Sequence, residues 1–373
     1  MKITTPYQTI GIIGGGQLGK MMAQSAKAMG YTVAVLDPTP NSPCGQVSDI
    51  EITAGYNDMD AIKRLAEISD VITYEFENID YDALVWLEQN ANLPQGSHVL
   101  KITQHRFSEK TAIQDMGIPV PAFDLITSGE ELSKKVYYPS VLKTTRGGYD
   151  GKGQVVLRDE SALPEAIKLA DSAECILEQF IPFDLEVSVI LARSITGEIA
   201  VFPVAENIHK NSILHQTIVP CRVSEAVQEK ARAYAHTIAD KLGVVGTLAV
   251  EMFVSGDDIY INELAPRPHN SGHYSMDACV TGQFEQHVRA VCGLPLGSTE
   301  LLTPTVMVNI LGDHLDATNL TNIDAYMPLL ASSKLHLYGK TEAVTKRKMG
   351  HVNVLAPVDQ ALAQIKATGI WPE

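Results

Sequence analysis

The segment with the clearest chemistry runs from Lys143 to Gln154 and has the sequence KTTRGGYDGKGQ. It lies between two apolar runs, which predicts a strand, a glycine-rich loop and a second strand. Its four glycines allow the backbone to present N–H groups, and Arg146 and Lys152 add positive charge. Such a flap can cover a polyphosphate, because oriented amides and cations both favour anions. The segment lacks the ending of a P-loop, and a hairpin with solvated charges explains it equally well on its own.

Two glutamates are predicted to face each other across a hairpin at 250–263. Strand alternation and a loop with an odd number of residues place Glu251 opposite Glu263. Two carboxylates at that distance repel each other unless a cation lies between them. Oxygen ligands without histidine or cysteine favour Mg²⁺, which also bridges nucleotide phosphates, so we predict a magnesium site. The alternative is a solvated pair of strands, although Glu251 lies in a run that is otherwise apolar from Val244.

The loop that follows, APRPHNSGH, combines a stiff backbone with polar side chains. Pro266 and Pro268 restrict its conformation and exclude a helix. A rigid loop that displays cations and an amide suits an anion or substrate site. The side chains displayed from it are those of Arg267, His269, Asn270 and His273.

The stretch Gly14–Gly19 follows a strand pattern, opens a helix and fits the G-x-G-x-x-G pattern. Asp37 ends the next strand near the offset expected for a ribose ligand. Taken alone, the pattern predicts a dinucleotide site. Its direct meaning, however, is only a tight turn with helix N-terminal amides aimed at an anion. NAD, another phosphate ligand and a purely structural turn therefore all remain possible interpretations.

Two further stretches have weaker signals. Glu178–Ile181 ends a strand before Pro182 and offers backbone groups that could bind an adenine edge, and Glu186 could bind ribose hydroxyls. In the C-terminal part, Lys340, Arg347 and Lys348 could clamp a phosphate, but a solvated basic hairpin is the simpler interpretation.

The pattern of elements predicts three units. The first hundred residues alternate strand and helix patterns, which indicates a parallel, doubly wound sheet. From there to about residue 296, helices are separated by strands that short turns mark as antiparallel. We therefore predict a mixed α/β and α+β chain with domains at 1–100, 101–296 and 297–373.

Composition argues against several classes of protein. A chain of 373 residues with a net charge of −15 is unsuited to a broad nucleic-acid surface. Its apolar runs are short, which predicts no membrane span, and the N-terminus lacks the pattern of an export signal. Five scattered cysteines without CxxC spacing favour reduced thiols over zinc or disulfides. These features together predict a cytoplasmic protein.

Taken in the order in which they occur along the chain, these features resemble those of the ATP-grasp ligases. Within that superfamily, nearly the whole chain is similar to the N5-carboxyaminoimidazole ribonucleotide synthetases of purine biosynthesis. The resemblance implies an ATP-grasp fold with an N-terminal Rossmann-like (pre-ATP-grasp) domain and a small, β-rich C-terminal domain. One departure is Cys221, where a small residue such as alanine is expected. The matching motifs are Gly14–Gly19, Glu75–Asn78, Gly147–Gln154, Ala205–His209, Asn262–His273 and Arg347–His351.

The resemblance also implies a reaction. ATP and bicarbonate would carboxylate 5-aminoimidazole ribonucleotide through carboxyphosphate, with release of ADP and phosphate and with Mg²⁺ as cofactor. The partners would be small molecules, with no nucleic acid and no membrane, and the assembly would be a homodimer. A labile mixed anhydride must be kept from water, which closure of the flap would achieve.

Residue roles follow from the same resemblance. Bicarbonate or carboxyphosphate would be held by Arg267 and His273, with Tyr149 and Lys152 closing over it. Magnesium would be bound by Glu251 and Glu263. The ribonucleotide would contact Gly16, Gln17, Leu18, Glu75 and Asn270, with its phosphate on Lys340, Arg347 and Lys348. ATP would contact Arg106, Lys143, Gly148, Tyr149, Asp150, Gly151, Lys152, Gly153, Gln154, Glu178, Gln179, Phe180, Ile181, Glu186, His209, Asn262 and Glu263.

Other functions remain open from the sequence. A formate-dependent formyltransferase of the ATP-grasp type would also react through an acyl phosphate, and only the run 267–273 argues against it. Biotin-dependent carboxylation is disfavoured because no Ala-Met-Lys-Met segment occurs. A nicotinamide oxidoreductase would leave the pair Glu251 and Glu263 unexplained. A non-catalytic nucleotide sensor should have lost a metal ligand or a flap glycine, and none is missing.

Overall fold

The computed structural model describes residues 3–148, 152–315 and 323–371. Tyr149, Asp150 and Gly151 of the glycine-rich segment therefore lie outside the described residues.

The N-terminal unit is a four-stranded parallel sheet of order β3-β2-β1-β4. Separate apolar clusters cover its two faces, one built with α1 and the other with α2 and α3. This arrangement confirms the predicted doubly wound sheet. Its elements are β1 (Thr9–Ile13), α1 (Gln17–Ala28), β2 (Thr32–Asp37), β3 (Ile50–Thr53), α2 (Met59–Ile68), β4 (Val71–Tyr74) and α3 (Tyr81–Asn90).

Aspartate caps fix the starts of two of these helices. The side chain of Asp58 accepts hydrogen bonds from the amides that open α2, and Asp80 does the same for α3. The start of α1 has no such cap from its own Gly16. The amides at this helix start have a partner from another element, which is described with the site below.

The next unit is a small antiparallel sheet of order β5-β8-β6-β7 with helices packed beside it. The flap connects β6 and β7, as the sequence predicts. The elements are α4 (His98–Thr103), α5 (Arg106–Asp115), β5 (Phe123–Ile126), α6 (Gly129–Lys135), β6 (Ser140–Thr144), β7 (Gln154–Leu157), α7 (Leu163–Ser172) and β8 (Cys175–Gln179).

The rest of the chain forms a larger antiparallel sheet. Helix α8 packs against one part of it through alanines and Ile238, and α10 packs against α1 through Phe284 and Val288. The elements are β9 (Leu185–Arg193), β10 (Ile199–Val201), β11 (Ala205–Lys210), β12 (Ile213–Val219), α8 (Glu225–Lys241), β13 (Gly246–Ser255), β14 (Asp258–Ala265), α9 (Ser275–Ala278), α10 (Gln283–Cys292), β15 (Thr305–Leu311), α11 (Ile323–Leu330), β16 (Ser333–Leu337), β17 (Lys348–Leu355) and α12 (Val358–Ala367).

This larger sheet crosses the predicted boundary at residue 296. Its order is β14-β13-β9-β11-β12-β15-β17-β16, with β10 paired to β9. Strand β15 pairs directly with β12, from Gln216↔Val308 to Val219↔Thr305. The C-terminal segment thus extends the sheet of the middle unit and does not form one of its own.

None of the helices among the described residues is long and apolar enough to cross a membrane. The five cysteines are buried and unpaired, as their spacing predicts.

Candidate active site

Three adjoining cavities meet at the edge of the larger sheet. The deep cavity, of about 350 Å³, lies between the two antiparallel sheets. The flap cavity, also about 350 Å³, lies under the start of the flap, and the glycine-loop cavity, about 280 Å³, lies beside Gln17 and Leu18. His269 and Lys348 line all three. Because the same two side chains border each cavity, ligands in them would lie next to one another.

The deep cavity has an apolar end suited to a flat ring. Phe183 and Phe253 stack with ring centroids 4.7 Å apart, and Val141, Val156 and Ile181 add to the wall. Gln179, Phe180 and Ile181, at the end of β8 and just after it, border the deep cavity.

Beyond the apolar end, the cavity wall carries a histidine–carboxylate pair. His209 Nδ1 lies 3.0 Å from Glu186 Oε2. Burial alone would lower the pKa of His209, but the adjacent carboxylate of Glu186 raises it. Both predicted ATP contacts are therefore brought to the same wall.

A buried charge network forms the other end of the deep cavity. Lys143 Nζ lies 2.7 Å from Glu178 Oε2, and Lys110 Nζ lies 3.6 Å from Glu178 Oε1. Burial would raise the pKa of Glu178, but the charges of the two lysines lower it to about 2. The Glu178 side chain thus holds the lysines, while its backbone remains near the apolar end.

Lys110 is a residue that sequence reasoning missed. Its side chain is 1% exposed, donates to the carbonyl of Ile261 at 2.9 Å, and has a pKa lowered by burial. The available signal was its position on α5, three residues before the buried Ile113 and four after Arg106. A lysine on the buried face of a helix requires a partner, which here is Glu178.

Glu251 and Glu263 are paired residues on β13 and β14. The predicted pairing is confirmed, but the reason given for it is wrong. The hairpin turn between Ser255 and Asp258 has two residues, an even number, and a bulge at Asn262 supplies the extra one. The bulge turns both Asn262 and Glu263 toward the deep cavity.

Each of the two carboxylates has a basic side chain beside it. Arg106 Nη1 lies 2.8 Å from Glu263 Oε2, and His269 Nε2 lies 3.0 Å from Glu251 Oε1. Burial would raise the pKa of Glu263, but the charge and hydrogen bond of Arg106 lower it to about 2. At the cavity wall, Glu263 is therefore held beside the positive charge of Arg106, and Glu251 is held beside the imidazole of His269.

These residues fit a magnesium ion that shares its shell with a polyphosphate. The described residues contain no group of three or more histidine, cysteine or acidic side chains placed to hold a metal. Two carboxylates facing a cavity large enough for a nucleotide are nevertheless the usual protein share for Mg²⁺, which takes its other ligands from phosphates and water.

Arg267 is displayed between the flap cavity and the glycine-loop cavity. Its guanidinium pairs with Glu77 Oε1 at 2.8 Å, while its Nε is buried and has no hydrogen-bond partner among the described residues. Gln283 braces the loop, since its amide donates to the carbonyl of His269 and accepts from the His269 N–H. A buried donor on a braced loop suits an anion in these cavities.

His273 does not take the predicted position. It is 1% exposed and borders none of the three cavities. Its ring lies between Phe284 and His351, at centroid distances of 5.5 and 4.7 Å, and burial lowers its pKa well below the ordinary value. A neutral, enclosed imidazole cannot hold bicarbonate, so the predicted role is corrected: His269, two residues from Arg267, faces the cavities.

The carboxylate of Glu75 occupies the N-terminus of α1, where the glycine pattern lies. Its carboxylate accepts hydrogen bonds from the backbone N–H groups of Gly16 and Gly19. Burial raises the pKa of Glu75, and the two amides act against that rise. The anion at this terminus is therefore a side chain of the protein, which favours the structural turn among the three interpretations of the glycine pattern.

Asp37 is likewise occupied. It accepts hydrogen bonds from the Gly15 N–H and from the Tyr56 hydroxyl, each at 2.6 Å. A carboxylate committed to the backbone is a poor ligand for a ribose hydroxyl, which weighs against NAD. Gln17, Leu18 and Glu75 still border the glycine-loop cavity, as a substrate contact would require.

The basic residues of the C-terminal segment lie at different distances from the place where the three cavities meet. Lys348 borders all three cavities, whereas Lys340 and Arg347 border none of the three. Lys340 donates to the carbonyl of Lys348 at 2.8 Å, and burial lowers its pKa to about 8. Arg347 is exposed and donates to the carbonyl of Glu342.

Asn270 borders the deep and glycine-loop cavities, but its amide is committed to a second asparagine. The side chains of Asn270 and Asn309 exchange two hydrogen bonds of 2.9 and 2.7 Å. Any substrate contact of Asn270 must therefore use its remaining hydrogen-bonding capacity.

The described part of the flap lies beside the deep cavity and the flap cavity. Arg106 Nη2 donates to the carbonyl of Gly148 at 3.0 Å, and Thr144 donates to that of Gly153 at 2.9 Å. Lys152 and Gln154 border the deep cavity. The predicted roles of Tyr149, Asp150 and Gly151 lie outside the described residues.

Comparison with known proteins gives matches along the whole chain. Three family models match in succession: a ribonucleotide synthetase preATP-grasp domain at residues 7–104, an ATP-grasp domain at 111–284, and a phosphoribosylaminoimidazole carboxylase C-terminal domain at 305–365. The N5-carboxyaminoimidazole ribonucleotide synthase of Bacillus subtilis (strain 168) is 56% identical over 375 residues, which covers 99% of this chain and 97% of the relative.

Solved structures agree with these matches. A crystal structure of an ADP complex of an N5-carboxyaminoimidazole ribonucleotide synthetase has a TM-score of 0.95 and 60% identity, covering 100% of this chain and 98% of that one. A synthase from Aspergillus clavatus, in complex with ADP and 5-aminoimidazole ribonucleotide, has a TM-score of 0.89 and 31% identity, covering 97% of each chain.

Proposed function

Because the chain belongs to the N5-carboxyaminoimidazole ribonucleotide synthase family of ATP-grasp ligases, we propose that its three cavities divide one reaction among them. The reaction is the ATP-dependent carboxylation of 5-aminoimidazole ribonucleotide in purine biosynthesis. The chain is therefore an ATP-dependent carbon–nitrogen ligase whose substrates are small molecules.

The deep cavity would bind ATP. Its apolar end, lined by the stacked rings of Phe183 and Phe253, suits adenine, and the pair of His209 and Glu186 suits the ribose hydroxyls. Lys143 would meet the phosphates, held in place by Glu178. The other contacts to ATP that the sequence predicts from the flap are proposed to lie along the same wall of the deep cavity.

Glu251 and Glu263 would hold Mg²⁺ at the phosphate end. When bound, the ion neutralises charge between the β- and γ-phosphates and so favours phosphoryl transfer. Arg106 is paired with Glu263 in this structure and lies beside the carbonyl of Gly148. Its charge is thus available at the point where the flap and the phosphates would meet.

The flap cavity would hold bicarbonate. A bicarbonate oxygen attacks the γ-phosphorus, an O–P bond forms, and the bond to ADP breaks, which leaves carboxyphosphate. Arg267 and His269 would orient the anion, and Lys348 would balance its charge. A guanidinium can hold an oxyanion by two parallel hydrogen bonds, which lysine cannot reproduce.

The glycine-loop cavity would bind 5-aminoimidazole ribonucleotide. Its exocyclic amine attacks the carboxyl carbon, a C–N bond forms, and phosphate leaves with the proton of the amine. Gln17, Leu18 and Glu75 would contact the ribonucleotide, and Lys348, supported by Lys340, would bind its phosphate. Contacts of Asn270 and Arg347 with the ribonucleotide are also part of this proposal.

The meeting of three cavities at His269 and Lys348 is the observation that most supports this division. A carboxyphosphate formed from the γ-phosphate must reach the amine without meeting bulk water. Cavities that share a wall allow this transfer over a short path. Closure of the flap, including Tyr149 and Lys152, is proposed to exclude water.

Replacement of Arg267 by lysine tests the bicarbonate site. We expect the variant to keep its affinity for Mg·ATP and its melting temperature. It should lose carboxylation by about 10²-fold or more, the scale for removing one preorganised oxyanion donor. Loss of ATP affinity together with turnover would show that Arg267 only braces the loop, and surviving turnover would also refute the role.

Three further features remain proposals. We place the reaction in the cytoplasm, since its substrates are phosphorylated metabolites and the thiols are free. A homodimer is proposed as the assembly. The domain boundaries at 1–100, 101–296 and 297–373 also remain a proposal, because one sheet crosses the second boundary.

A further inference from the structure

A chain of buried hydrogen bonds joins the N-terminal sheet to the loop that follows β14. Its three side chains are at most 6% exposed, and the described lining of the three cavities includes none of them. The roles assigned above therefore do not explain them. We call this chain the buried bridge. It starts at the backbone of Thr247, passes through the side chains of His287, Thr73 and Gln95, and ends at the carbonyl of Pro266.

The imidazole of His287 has one tautomer in this bridge. The backbone N–H of Thr247 donates to Nδ1 at 3.1 Å, and a backbone amide nitrogen can only donate. Burial lowers the pKa of His287 to about 3, so the ring is neutral at neutral pH. Its single proton is therefore on Nε2, which donates to the hydroxyl oxygen of Thr73 at 2.7 Å.

The remaining hydrogen bonds also have one direction. Because the Thr73 hydroxyl accepts from His287, it donates its own proton to Gln95 Oε1. The same Oε1 accepts the backbone N–H of Tyr74 at 3.4 Å, which identifies the oxygen of this amide. Nε2 of Gln95 then donates to the carbonyl of Pro266 at 3.3 Å. Reversal of one hydrogen bond would leave a buried polar atom without its partner, which is costly.

A glycine makes room for the imidazole. Gly246 begins β13 with φ +97°, and a Cβ there would lie 2.8 Å from Cε1 of His287. Another residue at this position would strain the backbone and displace the ring. The start of β13 is thus shaped to hold His287 in place.

One end of the bridge sets the direction of Arg267. The carbonyl of Pro266 and the N–H of Arg267 belong to the same planar peptide unit. That N–H donates back to the carbonyl of Ala265 at 2.8 Å, so the chain turns at Pro266. A hydrogen bond from Gln95 to the carbonyl of this unit fixes its rotation, and with it the direction in which the Arg267 side chain leaves the loop.

The other end of the bridge belongs to the wall of the glycine-loop cavity. Thr73 lies on β4, two residues before Glu75, which borders that cavity. The carboxylate of Glu75 is itself held by the amides of Gly16 and Gly19. The bridge therefore connects the wall of the cavity proposed for the ribonucleotide with the arginine proposed for bicarbonate.

We propose that Thr73, Gln95 and His287 are positioning residues that align carboxyphosphate with the amine of the ribonucleotide. This role rests on the function proposed above, since it takes the positions of Arg267 and of the glycine-loop cavity from there. Apolar side chains would fill the same space without burying polar atoms, whereas a satisfied polar network selects one arrangement of the parts that it joins.

Alignment matters in this reaction because carboxyphosphate has a competing fate. Where the amine is out of reach, water cleaves the mixed anhydride to bicarbonate and phosphate. A misaligned site therefore consumes ATP without carboxylating the ribonucleotide. Loss of a bridge that only stabilises the fold would lower phosphate release and carboxylation together, and their ratio would not change.

The replacement Thr73→Val keeps the shape of the side chain and removes the hydroxyl at the centre of the bridge. Phosphate and carboxylated product are measured in one reaction at saturating Mg·ATP, bicarbonate and 5-aminoimidazole ribonucleotide. We expect product formation to fall by about tenfold and phosphate release by less than about twofold, since a misplacement of about 1 Å can cost about 10²-fold. The ratio of phosphate to product should thus rise by roughly fivefold or more, at an unchanged KM for ATP.

Three further variants make the result specific to the bridge. Thr73→Ser retains the hydroxyl and should restore the ratio of the unsubstituted protein. Gln95→Met removes the last hydrogen bond of the bridge and should raise the ratio, and it decides the matter if Thr73→Val does not fold. Thr305→Val is the matched control, because Thr305 is fully buried and its hydroxyl donates to the carbonyl of Val354 at 3.1 Å, outside the bridge. Its ratio should stay unchanged.

An unchanged ratio in both Thr73→Val and Gln95→Met overturns the positioning role. The same rise in Thr305→Val or in Thr73→Ser also overturns it, because the hydroxyl of the bridge would then not be the cause. Absence of carboxylated product from the unsubstituted protein would contradict the proposed function itself. Failure of the bridge and failure of the proposed function therefore give different results.

Discussion

At the scale of single residues, the site is built from opposite charges that already have protein partners. Arg106 holds Glu263 at 2.8 Å, and His269 holds Glu251 at 3.0 Å. A magnesium ion would compete with both side chains for the same oxygens. Binding of Mg·ATP should therefore free Arg106 and His269 to meet the phosphates and bicarbonate, which makes assembly of the site depend on the nucleotide.

Substitution of Glu263 by glutamine tests the metal site. The change removes one ligand charge but preserves the shape of the side chain. We expect the fold to persist and phosphate release from Mg·ATP to fall by orders of magnitude, with partial recovery at high Mg²⁺. Glu229→Gln, on the exposed face of α8, is the matched control. Near-normal phosphate release by the Glu263 variant at ordinary Mg²⁺ would remove this residue from the metal site.

The two histidines of the loop should behave differently. His269→Asn should lose carboxylation while its melting temperature changes little, because His269 borders all three cavities. His273→Asn should lose roughly 1–3 kcal/mol of stability, as for a disrupted buried polar group, and keep its affinity for ATP. Melting curves and product assays of both variants provide the comparison. The reverse pattern would restore the bicarbonate role to His273.

Glu178 predicts a specific dependence of stability on pH. Its pKa in the folded protein is about 2, below the ordinary value of 4.5. The carboxylate therefore stabilises the folded state above about pH 5, and this contribution, on the order of 3 kcal/mol, is lost as the pH falls from there toward 2.

The Glu178 contribution is measurable by urea unfolding between pH 7 and 4. Glu178→Gln should be less stable at pH 7, and its deficit should shrink as the pH falls below 5. Glu229→Gln serves again as the control and should parallel the unsubstituted protein throughout. A deficit that stays constant down to pH 4 would mean that Glu178 contributes packing and not charge.

At the scale of elements, local pattern predicted most of the strands and helices. The strands β1, β4 and β15 each coincide with a short apolar run that ends at clear turn residues, which is why the sequence pattern reveals them. The bulge at Asn262 has no such signal, since one extra residue changes neither alternation nor turn composition. The predicted pairing of Glu251 with Glu263 was therefore right for a wrong reason.

Contacts between elements were less predictable than the elements. Glu75 reaches the start of α1 because β4 lies beside β1, and the order of strands in a sheet cannot be read from one sequence. The enclosure of His273 depends on strands from the far end of the chain, through His351. Local pattern was sufficient to bring Lys143, within β6, and Arg267, two residues after β14, to the cavities, and their roles remain proposals.

The occupied helix terminus predicts that nicotinamide nucleotides do not bind. A pyrophosphate would have to displace Glu75 from the amides of Gly16 and Gly19, and the buried carboxylate would then repel it. Isothermal titration with NAD and NADP should show no specific heat, while 5-aminoimidazole ribonucleotide gives a positive control. Micromolar affinity for either dinucleotide would contradict the assignment of this loop.

At the scale of the whole molecule, the active site depends on parts that are far apart in sequence. The loop at 266–273 is braced by α10 through Gln283 and by the C-terminal strands through Asn353, whose amide donates to the carbonyl of His273 at 3.0 Å. Asn309 on β15 holds Asn270. The C-terminal segment thus acts as structural support for the site and contributes Lys348 to it.

This dependence predicts that the C-terminal segment and the middle unit unfold together. If residues 297–373 formed an independent domain, Trp371 would report a transition separate from that of the backbone. Because β15 pairs with β12 and the buried asparagine and histidine contacts cross the boundary, separation would leave unpaired strands and buried polar groups.

The measurement is urea unfolding of the Trp86→Phe variant, followed by Trp371 fluorescence and by far-ultraviolet circular dichroism. We expect the two midpoints to coincide. Saturating Mg·ATP should shift both to higher urea by the same amount, since a ligand that binds only the folded site stabilises every part that unfolds with it. A fluorescence transition that precedes the loss of secondary structure, and that Mg·ATP leaves in place, would show that the C-terminal segment unfolds on its own. The sheet that crosses residue 296 would then join two independently stable domains.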